Sequence, residues 1–390
     1  MIKRFLQENL QALARQYPVL TLTGPRQSGK TFLSRAAFPD WSYASLEDLE
    51  TRRFATEDPR GFLAQYSGGV ILDEVQRTPD LPSYIQGIVD ERQEAGQFLL
   101  TGSQQFEVTR SVNQSLAGRT AVLRLLPFAW GEIYSEAEAP DLNTVLYTGF
   151  YPSIHDQRLN PTEALSFYTA TYLERDLQSL IQVRDMGAFE RFLKICAGQV
   201  GQLVNFSKLG NDVGVDQKTV KSWISIMEAS YIIFPLRPHF QNFRKRLVKS
   251  PKLYFCDVGL ACFLLGIGKP EHLESHPLRG SLFENFVIAE FLKNRFNRVQ
   301  TDNLYFFRDH VGNEVDLILD YGSDLIPVEI KAGKTLNPDY FKGISFYLGL
   351  SEKSGRSAFL VYGGTEAREQ SGVRVFPYRR LPDLFSSLPG

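Results

Sequence analysis

A glycine-rich segment followed by lysine and threonine carries the clearest chemical signal in the sequence. Its letters, GPRQSGKT over residues 24–31, match the spacing G-x-x-x-x-G-K-[ST] of a phosphate-binding loop. Such a loop surrounds a phosphate with backbone N–H groups, while its lysine reaches the β- and γ-phosphates and its threonine hydroxyl binds Mg²⁺. A strand-like run precedes the loop, and a helical pattern follows it whose N-terminal dipole favours an anion. We therefore predict an ATP site, with Lys30 as its catalytic cation, formed by Gly24, Pro25, Arg26, Gln27, Ser28, Gly29, Lys30, Thr31 and Phe32.

Two acidic residues follow the next apolar run, GVIL at residues 69–72. Asp73 is expected to hold Mg²⁺ through water, and Glu74 to orient the attacking water as general base. The alternative is a strand that simply ends in solvated acids. The presence of both acids behind a phosphate-binding loop favours hydrolysis over nucleotide binding alone.

Two further residues are candidates for sensing the γ-phosphate. Ser103 ends the run FLLTGS, and its hydroxyl is the preferred sensor, with Thr101 as the alternative. Arg119 would stabilise transition-state charge at the nucleotide of a neighbouring subunit. The alternatives are a strand-end turn at Thr101–Ser103 and a surface ion pair or helix-end cation at Arg119.

Acidic residues and a lysine recur on two neighbouring strand-like runs near the C-terminus. Asp316 lies on the run 314–320, and Glu329 and Lys331 share one face of the run 325–331. With Glu284 on the preceding helical segment, they resemble the E…D…ExK site of restriction-endonuclease-like nucleases. There the acids bind Mg²⁺, and the lysine steers the nucleophile or neutralises developing charge. Chance occurrence of this pattern is the alternative, and nuclease activity is a further step.

Basic residues are concentrated in the middle of the chain. Three short helical segments followed by strand-like runs predict a winged helix, whose third helix would present Lys218 and Lys221 to a DNA groove. The segment that follows carries further candidates for phosphate contact, interleaved with Phe240 and Phe243: Arg244, Lys245, Arg246, Lys249 and Lys252. The alternatives are an acidic face of another subunit and a solubilising loop.

Composition limits the other possibilities. The 390 residues include 43 Lys and Arg against 44 Asp and Glu, a net charge of -1, which excludes a uniformly basic nucleic-acid coat. The 3 cysteines are too few and too scattered for a disulfide framework or a zinc site, which predicts a reducing, cytoplasmic compartment. The first twenty residues have no signal-peptide core, and no run of about 18 apolar residues predicts a membrane span.

The order of elements predicts an α/β multidomain protein. Strands alternate with helices over the first 130 residues, which is typical of a doubly wound parallel sheet. Helices dominate residues 160–235. From residue 280 a helix, three strands, a helix and a strand follow the order of a restriction-endonuclease-like core. We therefore predict a phosphate-binding-loop ATPase domain over 1–155, a winged helix over 156–278 and a nuclease-like α/β domain over 279–390.

Several motifs occur in one order along the chain and carry a family resemblance: GPRQSGKT, LDEVQ, TGSQQF, SLAGR, LPFAWGEI, GFYP, YLERDL, KLYFCDVGL and LFENFV. Together they resemble the bacterial and archaeal AAA+-type ATPases whose C-terminal half is called domain of unknown function 4143. The resemblance covers nearly the whole chain. It implies an ATPase module, a winged-helix module and a nuclease-like module. Arg175 and Asp176 match an Arg-Asp pair of that family, which is either a nucleotide sensor or a buried ion pair.

The sequence thus predicts Mg²⁺-dependent ATP hydrolysis coupled to DNA binding and remodelling at branched or structured DNA. The resemblance to AAA+ modules implies an oligomer such as a hexamer, with Arg119 acting on the neighbouring subunit. One alternative is a nucleotide-switched signalling or defence NTPase. Another is an interaction protein that uses the nuclease-like fold only as a binding platform.

Overall fold

The computed structural model describes residues 2–103, 115–173, 186–239, 249–350 and 357–389. The chain forms two compact units, each assembled from separate segments. The first unit contains Met1–Phe128, Ala229–Tyr231 and Arg295–Thr301. The second contains Ala129–Glu228, Ile232–Asn294 and Asp302–Gly390. The division into three domains inferred from the sequence stays a prediction.

The first unit is built on a five-stranded, wholly parallel sheet, as the alternating pattern predicts. Its strands are β1 (Val19–Thr23), β2 (Ser42–Ser45), β3 (Val70–Asp73), β4 (Phe98–Gly102) and β5 (Thr120–Arg124), in the spatial order β2-β3-β4-β1-β5. Every residue of β1, β3 and β4 is buried, because helices cover both faces of a parallel sheet. The carboxyl ends of these three strands meet at one edge, so the residues that follow them are brought together.

Among the described residues of this unit, five helices supply its two apolar layers: Leu6–Ala14, Lys30–Ala37, Leu49–Glu57, Pro59–Ala64 and Leu81–Arg92. One layer packs Leu6 and Leu10 with Leu33 against the sheet. The other packs Phe62 and Ile85 against the opposite face. A short 3-10 helix, Val75–Arg77, follows β3.

The second unit begins with a helical region. Its helices are Trp130–Ile133, Leu142–Thr148, Pro152–Asp156, Pro161–Tyr168, Met186–Gly198, Phe206–Val213 and Gln217–Ala229, with a π-helical turn at Thr169–Leu173. The last three lie where the sequence predicts three helices, and an antiparallel strand pair follows them: β6 (Ile233–Pro238) and β7 (Lys252–Phe255). The winged-helix interpretation of this region stays a prediction.

The C-terminal part follows the predicted element order. It contains the helices Val258–Leu264, Arg279–Asn297, Lys342–Leu350 and Leu381–Ser386, and the strands β8 (Leu304–Arg308), β9 (Glu314–Asp320), β10 (Leu325–Lys331), β11 (Phe359–Tyr362), β12 (Arg368–Gln370) and β13 (Val373–Pro377). Short 3-10 helices lie at Pro270–Leu273, Pro338–Phe341 and Tyr378–Arg380. The eight strands form one mixed sheet in the order β12-β13-β11-β10-β9-β8-β6-β7.

Together the two sheets confirm an α/β multidomain fold. Among the residues that the structure describes, no helix combines the length and apolar character needed to cross a membrane.

Candidate nucleotide site and carboxylate cluster

The phosphate-binding loop is held in a tight backbone conformation by two glycines. A Cβ atom on Gly24 would lie 2.1 Å from the carbonyl oxygen of Leu125, so only glycine permits this close approach. Gly29 has a φ of 87° and precedes the helix Lys30–Ala37 in a left-handed conformation. The loop therefore opens directly onto a helix N-terminus, as the sequence motif predicts.

Lys30 is buried, and its ammonium group is hydrogen-bonded to uncharged carbonyl groups of the loop. Its Nζ donates to the carbonyl oxygens of Gly24 at 3.0 Å and Pro25 at 2.8 Å. Burial lowers the pKa of Lys30 to about 8, against an opposing attraction from Glu74 and Asp73. A phosphate at this position would supply the missing negative charge. In the described chain the buried Ser28 hydroxyl also has no hydrogen-bond partner, so the loop offers a further polar group that fits a phosphate.

The lowered pKa of Lys30 predicts opposite pH effects on nucleotide binding and on stability. Above pH 8 the free protein loses the Lys30 charge, so its affinity for an ATP analogue should fall about tenfold per pH unit. Between pH 8 and 10.5 the unfolded chain binds more protons at this lysine than the folded chain, so the Lys30 contribution to the free energy of unfolding should rise. Titration calorimetry and denaturant unfolding across this window measure the two effects.

Lys30→Met is the control for the stability effect. The difference between wild type and this variant should change with pH in that window, and a constant difference would contradict the assignment.

Asp73 lies at the centre of a hydrogen-bonded group at the ends of the strands. Its Oδ2 accepts from the Thr31 hydroxyl and from the Tyr43 hydroxyl, each at 2.8 Å, and its Oδ1 accepts from the Thr101 hydroxyl. Burial and the bond to Asp73 raise the pKa of Tyr43 to about 12, which keeps this hydroxyl a donor. Thr31 and Asp73 thus present adjacent oxygens, which fit the Mg²⁺ ion that accompanies ATP.

Glu74 is positioned beside the residue predicted to sense the γ-phosphate. Its φ of 58° places it in the left-handed region, which is uncommon for glutamate and is typical of functional strain. The carboxylate accepts from the Ser103 hydroxyl at 3.1 Å and from the Gln76 side-chain amide. Thr101, the alternative sensor, instead bonds to Asp73. The structure therefore brings both candidate hydroxyls to the two acids, one to each.

Arg119 lies away from this group. Its Nε and Nη2 bind the two oxygens of Asp90 on the helix Leu81–Arg92 at 2.5 Å and 2.9 Å. The hydrogen bond from Arg119 lowers the pKa of Asp90. The pair of Arg119 with Asp90 is bidentate and partly exposed, so it is the surface salt bridge given above as an alternative. The action of Arg119 on a neighbouring nucleotide stays a prediction.

The carboxylates near the C-terminus form a second group in the other unit. Lys331 Nζ lies 2.6 Å from Glu329 Oε1 and 3.0 Å from Asp316 Oδ2, so it bridges the two acids on neighbouring strands. Asp316 Oδ2 also accepts from the backbone N–H of Ile330 at 2.8 Å. Three of the four residues of the predicted site are thus in direct contact.

Glu284, the fourth residue of the predicted site, pairs with a lysine that the sequence assigned elsewhere. Lys252 Nζ lies 2.9 Å from Glu284 Oε1 and 2.5 Å from Glu314 Oε1, and it is buried. The Tyr254 hydroxyl donates to the same Glu284 oxygen at 2.5 Å. The suggestion that Lys252 contacts DNA phosphates is therefore wrong, because its ammonium group is enclosed by carboxylates and removed from solvent.

The lysines occupy the positions between the carboxylates. In the described ranges, no three or more His, Cys, Asp or Glu side chains are arranged to hold a metal ion. Burial, together with repulsion from Asp316, raises the pKa of Glu329 to about 8, and its Oε2 atom is buried without a hydrogen-bond partner in the part described. The donor set has the chemistry that Mg²⁺ prefers, but an ion would replace lysine–carboxylate contacts on entering.

The basic residues of the middle region are only partly within the described chain. Lys218 and Lys221 are exposed on the helix Gln217–Ala229, and Lys221 Nζ lies 5.5 Å from the centre of the Phe206 ring. Lys249 is also exposed. The remaining candidates lie outside the described residues: Arg175, Asp176, Phe240, Phe243, Arg244, Lys245 and Arg246.

Comparison with known proteins agrees with the geometry of the first unit. A family model described as an AAA domain matches residues 16–134, and a domain of unknown function, DUF4143, matches residues 279–381. A further domain of unknown function, DUF8612, matches residues 139–271. These matches confirm the predicted class, a P-loop ATPase of AAA type that carries a C-terminal DUF4143 domain.

Two mycobacterial relatives extend the similarity over most of the chain. Uncharacterized protein Rv2008c of Mycobacterium tuberculosis and Uncharacterized protein Mb2031c of Mycobacterium bovis are each 31% identical over 323 residues, covering 82% of this chain and 71% of the relative. The Walker-type ATPase PABY2304 of Pyrococcus abyssi is a similar solved structure, with a TM-score of 0.45 and 13% identity over 66% of this chain and 94% of that chain. The chain therefore belongs to the same family as the two mycobacterial proteins.

Proposed function

We propose that the chain couples Mg²⁺-dependent ATP hydrolysis to the binding and remodelling of branched or structured DNA. The observation that carries the proposal is the convergence of Lys30, Thr31, Asp73 and Glu74 at one sheet edge. Lys30 binds and neutralises the phosphates, and Thr31 with Asp73 would hold Mg²⁺, which polarises the phosphate oxygens. Glu74 takes the proton of the attacking water, and Ser103 orients the Glu74 carboxylate.

The DNA part of the proposal is supported by the exposed lysines of the middle region. Lys218 and Lys221 lie on the third of three consecutive helices, and an antiparallel strand pair follows. That order is the one in which a recognition helix enters a major groove. Exposed ammonium groups contribute affinity through phosphates, which makes binding depend on salt.

The proposal includes phosphodiester cleavage at the carboxylate cluster and assembly into a ring such as a hexamer. For cleavage, Glu284, Asp316 and Glu329 would hold Mg²⁺ once Lys252 and Lys331 release these carboxylates, and Lys331 would steer the nucleophile or neutralise developing charge. For assembly, Arg119 would leave Asp90 to reach a nucleotide on the neighbouring subunit.

A second candidate is a nucleotide-switched signalling or defence NTPase. It is favoured by the pairing of Glu284 with Lys252, a buried lysine outside the E…D…ExK pattern that occupies one of the acids a nuclease needs. In that case hydrolysis is slow and the C-terminal domain binds a protein.

The test is steady-state ATP hydrolysis with duplex, single-stranded and four-way-junction DNA, beside Lys30→Ala. The DNA is recovered on a gel, and Asp316→Ala reports on cleavage. The proposal expects one DNA form to stimulate wild-type turnover several-fold and the Lys30 variant to be silent. Strand cuts that vanish with Asp316→Ala support the nuclease. Turnover that ignores every DNA, without DNA binding at low salt, would favour the switch instead.

Removing both exposed lysines of the third helix is expected to weaken DNA binding at every sequence tested. The double variant Lys218→Gln with Lys221→Gln should also reduce the slope of log affinity against log salt by about 2, because two phosphate contacts are lost. Fluorescence anisotropy over a salt series measures both quantities. Lys208→Gln, which removes an exposed charge from the preceding helix, is the control, and an equal loss in that variant would refute a recognition role for the third helix.

A further inference from the structure

Arg4 is a buried residue in direct contact with the phosphate-binding loop. Only 3% of its surface is exposed. Its Nη1 donates to the carbonyl oxygen of Ser28 and its Nη2 to that of Leu126, each at 2.7 Å. The guanidinium carbon lies 4.7 Å from the centre of the Phe128 ring. One planar side chain therefore joins the loop to the segment that follows β5.

The bond to Ser28 fixes the direction of a neighbouring N–H group. Every described peptide bond is trans, so the carbonyl of Ser28 and the N–H of Gly29 point in opposite directions across one planar unit. Holding the carbonyl toward Arg4 therefore directs the Gly29 N–H away from Arg4. Loops of this type bind phosphate through backbone N–H groups, and holding the Ser28 carbonyl on the Arg4 side leaves the Gly29 N–H available to a phosphate on the other side.

The loop also contacts the same segment at its other end. Gly24 packs so closely against the Leu125 carbonyl that a Cβ atom would not fit. Gly24 thus packs directly against residue 125, and the Arg4 side chain links Ser28 to residue 126. Both ends of the loop are therefore connected to the segment that follows β5.

Arg4 is itself held in place by the helix that follows it. Leu6 and Leu10 of that helix are fully buried and pack with Leu33 of the helix Lys30–Ala37. The guanidinium is therefore fixed before any ligand binds, and the entropy of ordering it is not lost at the binding step.

We propose that Arg4 is a positioning residue of the ATP site, which keeps the Gly29 N–H directed at the phosphate by holding the Ser28 carbonyl. The inference rests on the proposed ATP site. The contribution of Arg4 is made equally to bound ATP and to the transition state. A change at Arg4 therefore raises KM and leaves kcat nearly constant.

The experiment compares Arg4→Met, Arg4→Lys and wild type. Binding of a non-hydrolysable ATP analogue is measured by titration calorimetry well below the Tm of each variant, together with KM and kcat for ATP. Arg4→Met removes both donors and is expected to weaken binding at least about tenfold, since a hydrogen bond from a charged donor is lost at the loop. Its kcat should stay within about threefold of wild type.

Arg4→Lys keeps the charge but replaces the planar fork with one ammonium group that cannot replace both bonds. Its dissociation constant should lie between those of wild type and Arg4→Met, which keeps the test decisive if the methionine variant does not fold. Lys3→Met is the matched control, because Lys3 is exposed and forms a surface ion pair with Glu8 at 2.7 Å, and it should bind as wild type does.

Wild-type affinity for the ATP analogue in Arg4→Lys would overturn the proposal. So would wild-type affinity in a folded Arg4→Met whose Tm is lowered, and Arg4 would then be a purely structural residue. Lys30→Ala is measured alongside. If that variant also binds normally, the ATP site itself is misplaced, and the two failures are thereby distinguished.

Discussion

Replacing Glu74 by glutamine is expected to lower kcat for ATP hydrolysis by about 10²- to 10⁴-fold, because an amide cannot take the proton of the attacking water. Glutamine preserves the size of the side chain and its ability to accept from Ser103. The phosphate contacts made by the loop are unchanged, so KM should stay within about threefold of wild type. Phosphate release at steady state and in a single turnover measures the loss at the chemical step.

Two comparisons make this result specific. Glu91→Gln removes an exposed acid from the helix Leu81–Arg92 of the same unit and should hydrolyse ATP normally. Gln76→Ala removes one of the two groups bound to the Glu74 carboxylate and should change kcat far less than Glu74→Gln. Wild-type turnover in Glu74→Gln would mean that another group takes the proton.

The parts of the ATP site that the sequence predicts are those fixed by local spacing. The loop motif determines which backbone groups face a phosphate, and an apolar run ending in two acids places Asp73 and Glu74 at a strand end. Parallel pairing of β4 with β1 and β3 then assembles the site, because it brings the carboxyl ends of all three strands to one edge of the sheet. Ser103 reaches Glu74 for this reason.

The residues that sequence reasoning missed depend on contacts between distant segments. Tyr43 reaches Asp73 only because β2 pairs with β3, which aligns Ser45 with Asp73. Nothing in the composition of β2 indicates that pairing. Arg4 contacts Leu126, which is 122 residues away in the sequence. A single arginine before a helix does not indicate a contact with so distant a residue.

Lys252 illustrates the opposite error, in which a local pattern misleads. Its neighbours in sequence are basic and free of acids, so counting charge along the chain favours a phosphate contact. In the folded protein it belongs to β7 at the end of the mixed sheet and meets Glu284 and Glu314, which are 32 and 62 residues away. Such pairing offsets the cost of burying the charge, since an unpaired buried ammonium is strongly disfavoured.

The C-terminal segment also forms more structure than its composition suggests. Residues 368–386 contain two strands and a helix, and Val373 and Val375 of β13 pack in an apolar cluster with Leu360. Arg368 and Glu369 of β12 are exposed, whereas in β13 only Arg374 is exposed. Alternation of apolar and charged residues over Val373, Arg374 and Val375 is too short a pattern to distinguish a strand from a loop.

Gly149→Ala is expected to lower the free energy of unfolding of the second unit by about 3 kcal/mol or more, from backbone strain and steric overlap together. Gly149 has a φ of 64° and a ψ of -156°, a conformation that is essentially restricted to glycine. A Cβ atom there would also lie 2.5 Å from Asp257 Oδ1 and 2.8 Å from the Cα of Gly259.

The overlap would displace a carboxylate that organises two segments. Asp257 Oδ2 accepts from the N–H of Phe150 at 2.6 Å, and its Oδ1 accepts from the N–H of Leu260 at 2.9 Å, where it caps the helix Val258–Leu264. Both acceptor oxygens are buried, and this burial raises the pKa of Asp257. Water therefore cannot replace the two hydrogen bonds if they are broken. Packing and hydrogen bonding between these two segments thus give a structural reason for the motifs GFYP and CDVGL.

Denaturant unfolding of Gly149→Ala beside Gly280→Ala tests this account. Gly280 lies in the helix Arg279–Asn297, and a Cβ atom added to it would meet nothing within 4 Å, so alanine there should stabilise the helix by about 0.5–1 kcal/mol. The two substitutions add the same methyl group to the same unit and are expected to shift the unfolding midpoint in opposite directions. If both variants unfold at the wild-type midpoint, the contact between Gly149 and Asp257 does not limit stability, and those motifs must serve a ligand or a partner instead.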